Sequence, residues 1–287
     1  MNWGQNNLGP AIGISPNQHM KATTAKEKNP QIVHSCRSLC FWTTTLVSLG
    51  LMPTLLADTL VVGVSNGRNN APFNLAGSFG VSPSQRYQQY YDPASFGPMA
   101  GGAWITELDF RVCRGEPSFS SVLPDIQINL STSPKTLPTL SKTYSANVGT
   151  DDLIAVPRGP LALSGTGGAG PNPFDIVITL THPFFYNPAN GGLLLDVRNW
   201  GGGATSVFDA DELPSSIMNR VYNYQGTADS TTADVIGLNY AGLVTRFQFT
   251  PIPEPGIGSL LALGLLLVVC RRPAQQQLAR MFERGSL

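Results

Sequence analysis

IQINL, residues 126–130, sets Ile126, Ile128 and Leu130 at every second position with an amide side chain at each place between. Successive side chains of a strand point to opposite faces, so this spacing gives one aliphatic face and one polar face. The same period recurs at Phe247 and Phe249 in LVTRFQFT (243–250). Other short runs rich in Val, Ile, Thr, Tyr and Phe are TLVVGV (59–64), WITELDFRV (104–112), KTYSA (142–146), DLIAV (152–156), FDIVITL (174–180), GLLLDVRNW (192–200) and RVYNY (220–224). In WITELDFRV the apolar residues Ile105, Leu108 and Phe110 depart from strict alternation. No amphipathic helix of three turns stands out between residues 58 and 250. The expected fold is therefore all-β: a β-sandwich or jelly roll of about nine or ten strands over residues 58–250. Gly-Gly, Asn-Pro and Ser-Pro pairs stop the strands through positive φ, a missing amide donor, or a side chain bonding its own backbone. SGTGGAGPNP (164–173) is expected to be the most flexible connection, and no segment repeats at a fixed period.

The chain has 287 residues and no net charge. Residues 58–250 hold 15 Asp and Glu against 10 Lys and Arg, a balance of −5. A mildly acidic core without a cationic stripe argues against a nucleic-acid partner, because neutralising phosphates takes clustered Lys and Arg. Of Cys36, Cys40, Cys113 and Cys270, only Cys113 falls in the core, so no disulfide can form within it. Cys113, at the end of the WITELDFRV run, is expected to be a buried small side chain.

Both ends differ from the middle. SCRSLCFWTTTLVSLGLMPTLLA (35–57) carries Arg37, then an apolar region, then Ala57 before the polar Asp58. That order predicts a secretory signal within a leader of residues 1–57, its core at 33–57, cut between Ala57 and Asp58. Met20 or Val33 as the start would give a leader of ordinary length. At the other end, PIPEPGIGSLLALGLLLVVCRR (251–272) joins a proline-rich segment to an apolar run of 15 residues, 256–270, and two arginines. As a helix the run reaches about 22 Å, short of the roughly 30 Å of hydrocarbon, a mismatch that local thinning absorbs. Arg271 and Arg272 can snorkel to headgroups and hold the following residues, 273–287, as a cytoplasmic tail.

The order Pro253-Glu254-Pro255, short apolar helix and Arg271-Arg272 resembles the PEP-CTERM protein-sorting domain. The resemblance covers about the last tenth of the chain, and residues 273–287 extend beyond its usual end. It implies export, anchoring in the inner membrane and recognition by an exosortase, a membrane-embedded cysteine protease of Gram-negative bacteria that make extracellular polysaccharide. The expected destination is the cell envelope or the extracellular matrix. RYQQYYDPASFG (86–97) through FDIVITLTHPFFYNPANGGLLLDV (174–197) is similar to segments of other exported PEP-CTERM proteins, and this similarity implies no activity.

Chemistry-bearing groups in the middle are sparse. His182, in THPFFYNP, is the single histidine after residue 57, and a locally hydrogen-bonded ring at a strand-end turn outweighs a pairing with Ser or Cys113. No metalloprotease, paired-cysteine or phosphate-loop motif is present. FDADEL (208–213) groups Asp209, Asp211 and Glu212, which reads as a solvated acidic loop or, alternatively, as hard oxygen ligands for calcium. Trp200, ahead of Gly201, Gly202 and Gly203, either closes the sandwich at a strand end or offers a platform to a sugar, with Tyr87, Tyr90 and Tyr91 as further platforms. Asp175 and Asp196 are the candidate carboxyl pair of a glycoside hydrolase. The leading expectation is a non-enzymatic exported protein without cofactor. The alternatives are a glycan- or calcium-binding module in the same place and a carboxylate-based glycosidase.

Overall fold

The computed structural model describes residues 57–76, 84–212, 214–237 and 240–252. The signal core before Ala57, the Pro253-Glu254-Pro255 triplet, the 256–270 run, Arg271, Arg272 and the 273–287 tail lie outside the described residues. Within them no helix is long and apolar enough to cross a membrane. The protein is all-β, with thirteen strands and four short 3-10 turns among the described residues.

Strands β1 (Asp58–Val62), β4 (Ala103–Phe110), β7 (Ile176–Tyr186) and β13 (Thr245–Pro251) form a four-stranded sheet in the order β1-β13-β4-β7. A six-stranded sheet has the order β11-β10-β3-β8-β5-β6. It comprises β3 (Gln85–Tyr91), β5 (Phe119–Ser133), β6 (Leu153–Gly165), β8 (Gly192–Asn199), β10 (Met218–Tyr222) and β11 (Val235–Ile236). β2 (Gly67–Asn69), β9 (Phe208–Glu212) and β12 (Tyr240–Leu243) make a small third sheet, and the described pairings are all antiparallel.

The inward residues are those the period of two selects. Ile126, Ile128 and Leu130 of β5, Ile176 and Ile178 of β7, and Phe247 and Phe249 of β13 are all buried. They join Val62, Leu193, Leu195, Val197, Phe208 and Leu243 in one continuous hydrophobic cluster drawn from all three sheets. The broken alternation in β4 has a local cause. Glu107 pairs with Gln248 and Ile105 with the next residue, Phe249, so Thr106 is an extra residue on β4. This bulge resets the phase and lets Ile105 and Leu108, three apart, both face the core.

Several expectations are corrected. The strand count exceeds nine or ten because β2, β11 and β12 are short pairings of two to four residues. KTYSA is no strand: Tyr144–Ala146 is a 3-10 turn. FDADEL is no solvated loop, since Phe208–Glu212 is β9 and its first four residues are buried. RYQQYY lies in β3, whose seven residues are all buried. Thr166 to Asn172 is pinned rather than loose: the Thr166 amide donates to Asp175, Gly167 to Ser118 Oγ at 2.9 Å, and Asn172 Nδ2 to the Val112 carbonyl at 3.0 Å.

Candidate functional site

The outward face of the four-stranded sheet carries the most unusual exposed chemistry among the described residues. Its rows follow from register: Thr250, Trp104 and Phe185 lie abreast, then Gln248, Glu107 and Thr179, then Arg246, Asp109 and Val177. With Ile105 and Phe184 facing the core, Trp104 and Phe185 must face out. Trp104 is 47% exposed and Phe185 36%, with ring centroids 5.3 Å apart. Phe185 lies across Gly102, where a Cβ would come within 2.5 Å of its Cζ, and Gly102 has φ +103°. Only glycine fits there. Sequence reading did not single out this pair, although parity within AWI and PFFY already assigns one residue to each face.

The next two rows hold a carboxyl couple. Gln248 Nε2 donates to Glu107 Oε1 and, at 3.3 Å, to Asp109 Oδ2. Thr179 Oγ1 donates to Glu107 Oε2 at 2.9 Å, and Arg246 Nε to Asp109 Oδ2 at 2.7 Å. Partial burial, reinforced by the Asp109 carboxylate, raises the Glu107 carboxyl above its ordinary value against the opposing Thr179 hydrogen bond and Arg246 charge. Glu107 thus keeps its proton to higher pH in the folded chain than in the unfolded one, so its contribution to stability falls as pH rises through that window. A carboxyl-resolved NMR titration is expected to show Glu107 titrating above an exposed glutamate, and Asp109→Asn should bring its midpoint down. An ordinary midpoint in the unaltered chain would contradict the coupling.

The residues singled out from sequence are engaged elsewhere. Trp200 follows β8, with the Arg158 guanidinium carbon 3.8 Å from its ring centroid and its Nε1 donating to Asp229 Oδ1 at 2.9 Å. Arg158 is held there by a two-pronged pair with Asp125, at 2.8 and 2.7 Å. That pairing lowers the Asp125 carboxyl below its ordinary value. A Cβ on Gly201 would meet Pro124, and one on Gly203 would meet Leu123, so these glycines permit close approach to β5 as well as turning the chain. Trp200 therefore has one ring face covered by Arg158 and its indole N–H engaged by Asp229. Tyr87, Tyr90 and Tyr91 are buried, which removes them as sugar platforms.

Asp209 is ion-paired with Arg111 and accepts from Ser65 Oγ at 2.7 Å, Asp211 accepts from Ser215 Oγ at 3.1 Å, and Glu212 is exposed. Among the described residues no group of three or more acidic, histidine or cysteine side chains is placed to hold a metal ion. Asp175, just before β7, receives the Thr166 amide, whereas Asp196 sits on β8 in the other large sheet, buried against Arg86. The structure does not bring these two carboxyls together. His182 lies inside β7 rather than at its end, with Nδ1 3.0 Å from the Ile154 carbonyl. Cys113 is buried as expected, its thiol facing the Gly67 carbonyl at 3.7 Å and pushed up by burial, so neither residue activates the other. A depression of about 360 Å³ over the ends of β5 and β6 is lined by Ser120, Ser121, Val122, Ala162, Leu163 and Ser164, none of them an acid or base.

Ala57 and Asp58, the expected signal cleavage site, are exposed where the described chain begins. No family model, curated protein or solved structure matches the chain.

Proposed function

We propose that this chain is an exported β-sandwich protein, anchored by its C-terminal segment and processed by an exosortase-type protease. It serves in the envelope or extracellular polysaccharide matrix of a Gram-negative bacterium, without catalysis. The sandwich is formed by the four-stranded and six-stranded sheets, whose inward residues share one core.

One observation carries the reading. The first strand opens at Asp58, the residue after the expected signal cut, and the last closes at Pro251, two residues before the Pro-Glu-Pro triplet. These strands are antiparallel neighbours, with Asp58 opposite Phe249. Leader and anchor therefore leave the folded unit at one end of one sheet, which suits a chain tethered to a single bilayer at both ends before processing. β1 is also an edge strand, where a new amino terminus disturbs no second neighbour.

Deleting residues 252–272 is expected to release the protein from the membrane fraction into the soluble periplasmic fraction, and Edman sequencing of the exported form should begin at Asp58. Unchanged membrane fractionation of the deletion variant would reject the anchor.

A further inference from the structure

We infer that Trp104, Phe185 and Ile252 form a membrane-seating patch that rests in the headgroup zone of the bilayer, a reading that builds on the C-terminal anchor proposed above. The three are contiguous. Phe185 lies over Gly102 and against Trp104, and the Ile252 amide donates to the Gly102 carbonyl at 3.2 Å. Ile252 lies two residues beyond Thr250, the cross-strand partner of Trp104, and so continues the same face. Ile252 is 46% exposed. A Trp, a Phe and an Ile held together in the open are an apolar surface in search of cover.

The length of chain beyond Ile252 says what covers it. Only residues 253–255 separate Ile252 from Gly256, where the apolar run begins. Four peptide steps reach at most about 14 Å even when fully extended. The headgroup layer on each side of the hydrocarbon is roughly 5–8 Å deep. With residue 256 at the hydrocarbon boundary, the Ile252 end of the sheet cannot leave the neighbourhood of the bilayer surface. Aromatic rings favour that interfacial level, where their apolar area leaves water while their polar edges stay hydrated. The next row along that face, Gln248, Glu107 and Thr179, is polar and sets the other limit, at the watery side of the headgroups. The patch thus fixes which side of the sandwich faces the membrane and which faces the matrix.

The test uses the purified full-length chain in vesicles of phosphatidylcholine and phosphatidylglycerol, the former brominated near the carboxyl end of its acyl chains to quench indole at shallow depth. Flotation, compared with that of a chain lacking residues 253–272, reads the anchor apart from the leader, and fluorescence reads the patch. The expected result is that the protein floats and that bromination removes a larger fraction of its emission than it removes from Trp104→Phe, which retains the other three tryptophans. Adding Phe185→Trp to Trp104→Phe should restore the larger loss by returning an indole to the patch. Floated protein with equal fractional losses in all three chains would overturn the patch and leave the anchor standing, whether the rings face water, a polysaccharide or a second copy. A full-length chain that floats no better than the one lacking residues 253–272 would overturn the anchor, and the patch with it.

Discussion

Asp196→Ala is expected to lower stability by about 3–5 kcal/mol, the usual cost of leaving one member of a buried ion pair alone. Asp196 takes Arg86 Nε at 3.1 Å, Arg86 Nη2 at 2.5 Å and Gln88 Nε2 at 2.9 Å, and the Arg86 and Asp196 side chains are only 9% and 4% exposed. The guanidinium is enclosed further by the Tyr144 ring, 4.6 Å from its carbon, while the Tyr144 hydroxyl donates to the Arg86 carbonyl at 2.8 Å. Burial raises that phenol far above its ordinary range, so it stays a neutral donor. Without Asp196 the cation has no water to turn to. For a domain of this size the loss corresponds to a fall in melting temperature of roughly 10 °C. The double variant Arg86→Met with Asp196→Leu should lose far less, because a well-packed apolar pair often matches a buried ion pair. Thermal unfolding followed by circular dichroism checks both. Equal losses in single and double variants would show that packing, not the unpaired charge, sets the cost.

Phe247→Ala is expected to cost about 3–5 kcal/mol, the lost transfer energy of the ring plus the cavity it leaves. Phe247 is fully buried on β13 and meets Tyr91 of β3 edge-on at 5.2 Å and Phe96 at 5.3 Å. Phe96 in turn meets Tyr186 of β7 at 5.0 Å. One ring therefore joins the four-stranded sheet to the six-stranded one. Urea unfolding should show a lower midpoint with an unchanged slope, and Phe247→Leu should fall between the two. If the variant instead unfolded in two steps, the sheets would be separate cooperative units and the shared core would not be what couples them.

Where the sequence was readable, a single period was enough. Ile126, Ile128 and Leu130, and Phe247 and Phe249, sit on strands flanked by the same core, so their spacing translates directly into burial. β3 was unreadable by that rule. QRYQQYY has no apolar face, yet every residue is buried, with most of its amide groups tied to partners on other segments. Gln89 Nε2 donates to the Leu243 carbonyl at 2.8 Å and its Oε1 accepts from the Leu243 amide and the Tyr87 hydroxyl, while Gln85 Nε2 reaches the Asn223 carbonyl at 2.8 Å. Leu243 and Asn223 lie more than a hundred residues from β3, beyond any window of sequence. The candidate site shows the same division. Trp200 drew notice because glycines follow it, yet Arg158 and Asp229, remote in sequence, occupy it. Trp104 and Phe185 drew none, because their pairing depends on the register between β4 and β7.

By itself the sequence determined the strand-forming character of residues 58–250, the inward residues of β13 and of the IQINL stretch of β5, and the solitary core cysteine, since each follows from neighbours a few positions apart. Only the tertiary structure decided that hydrophilic β3 is interior, that Thr106 is a bulge, that Asp196 is locked to Arg86 and that an aromatic pair lies open beside the exit at Ile252. Those outcomes depend on hydrogen-bond partners and cross-strand neighbours that the chain acquires only when distant segments meet.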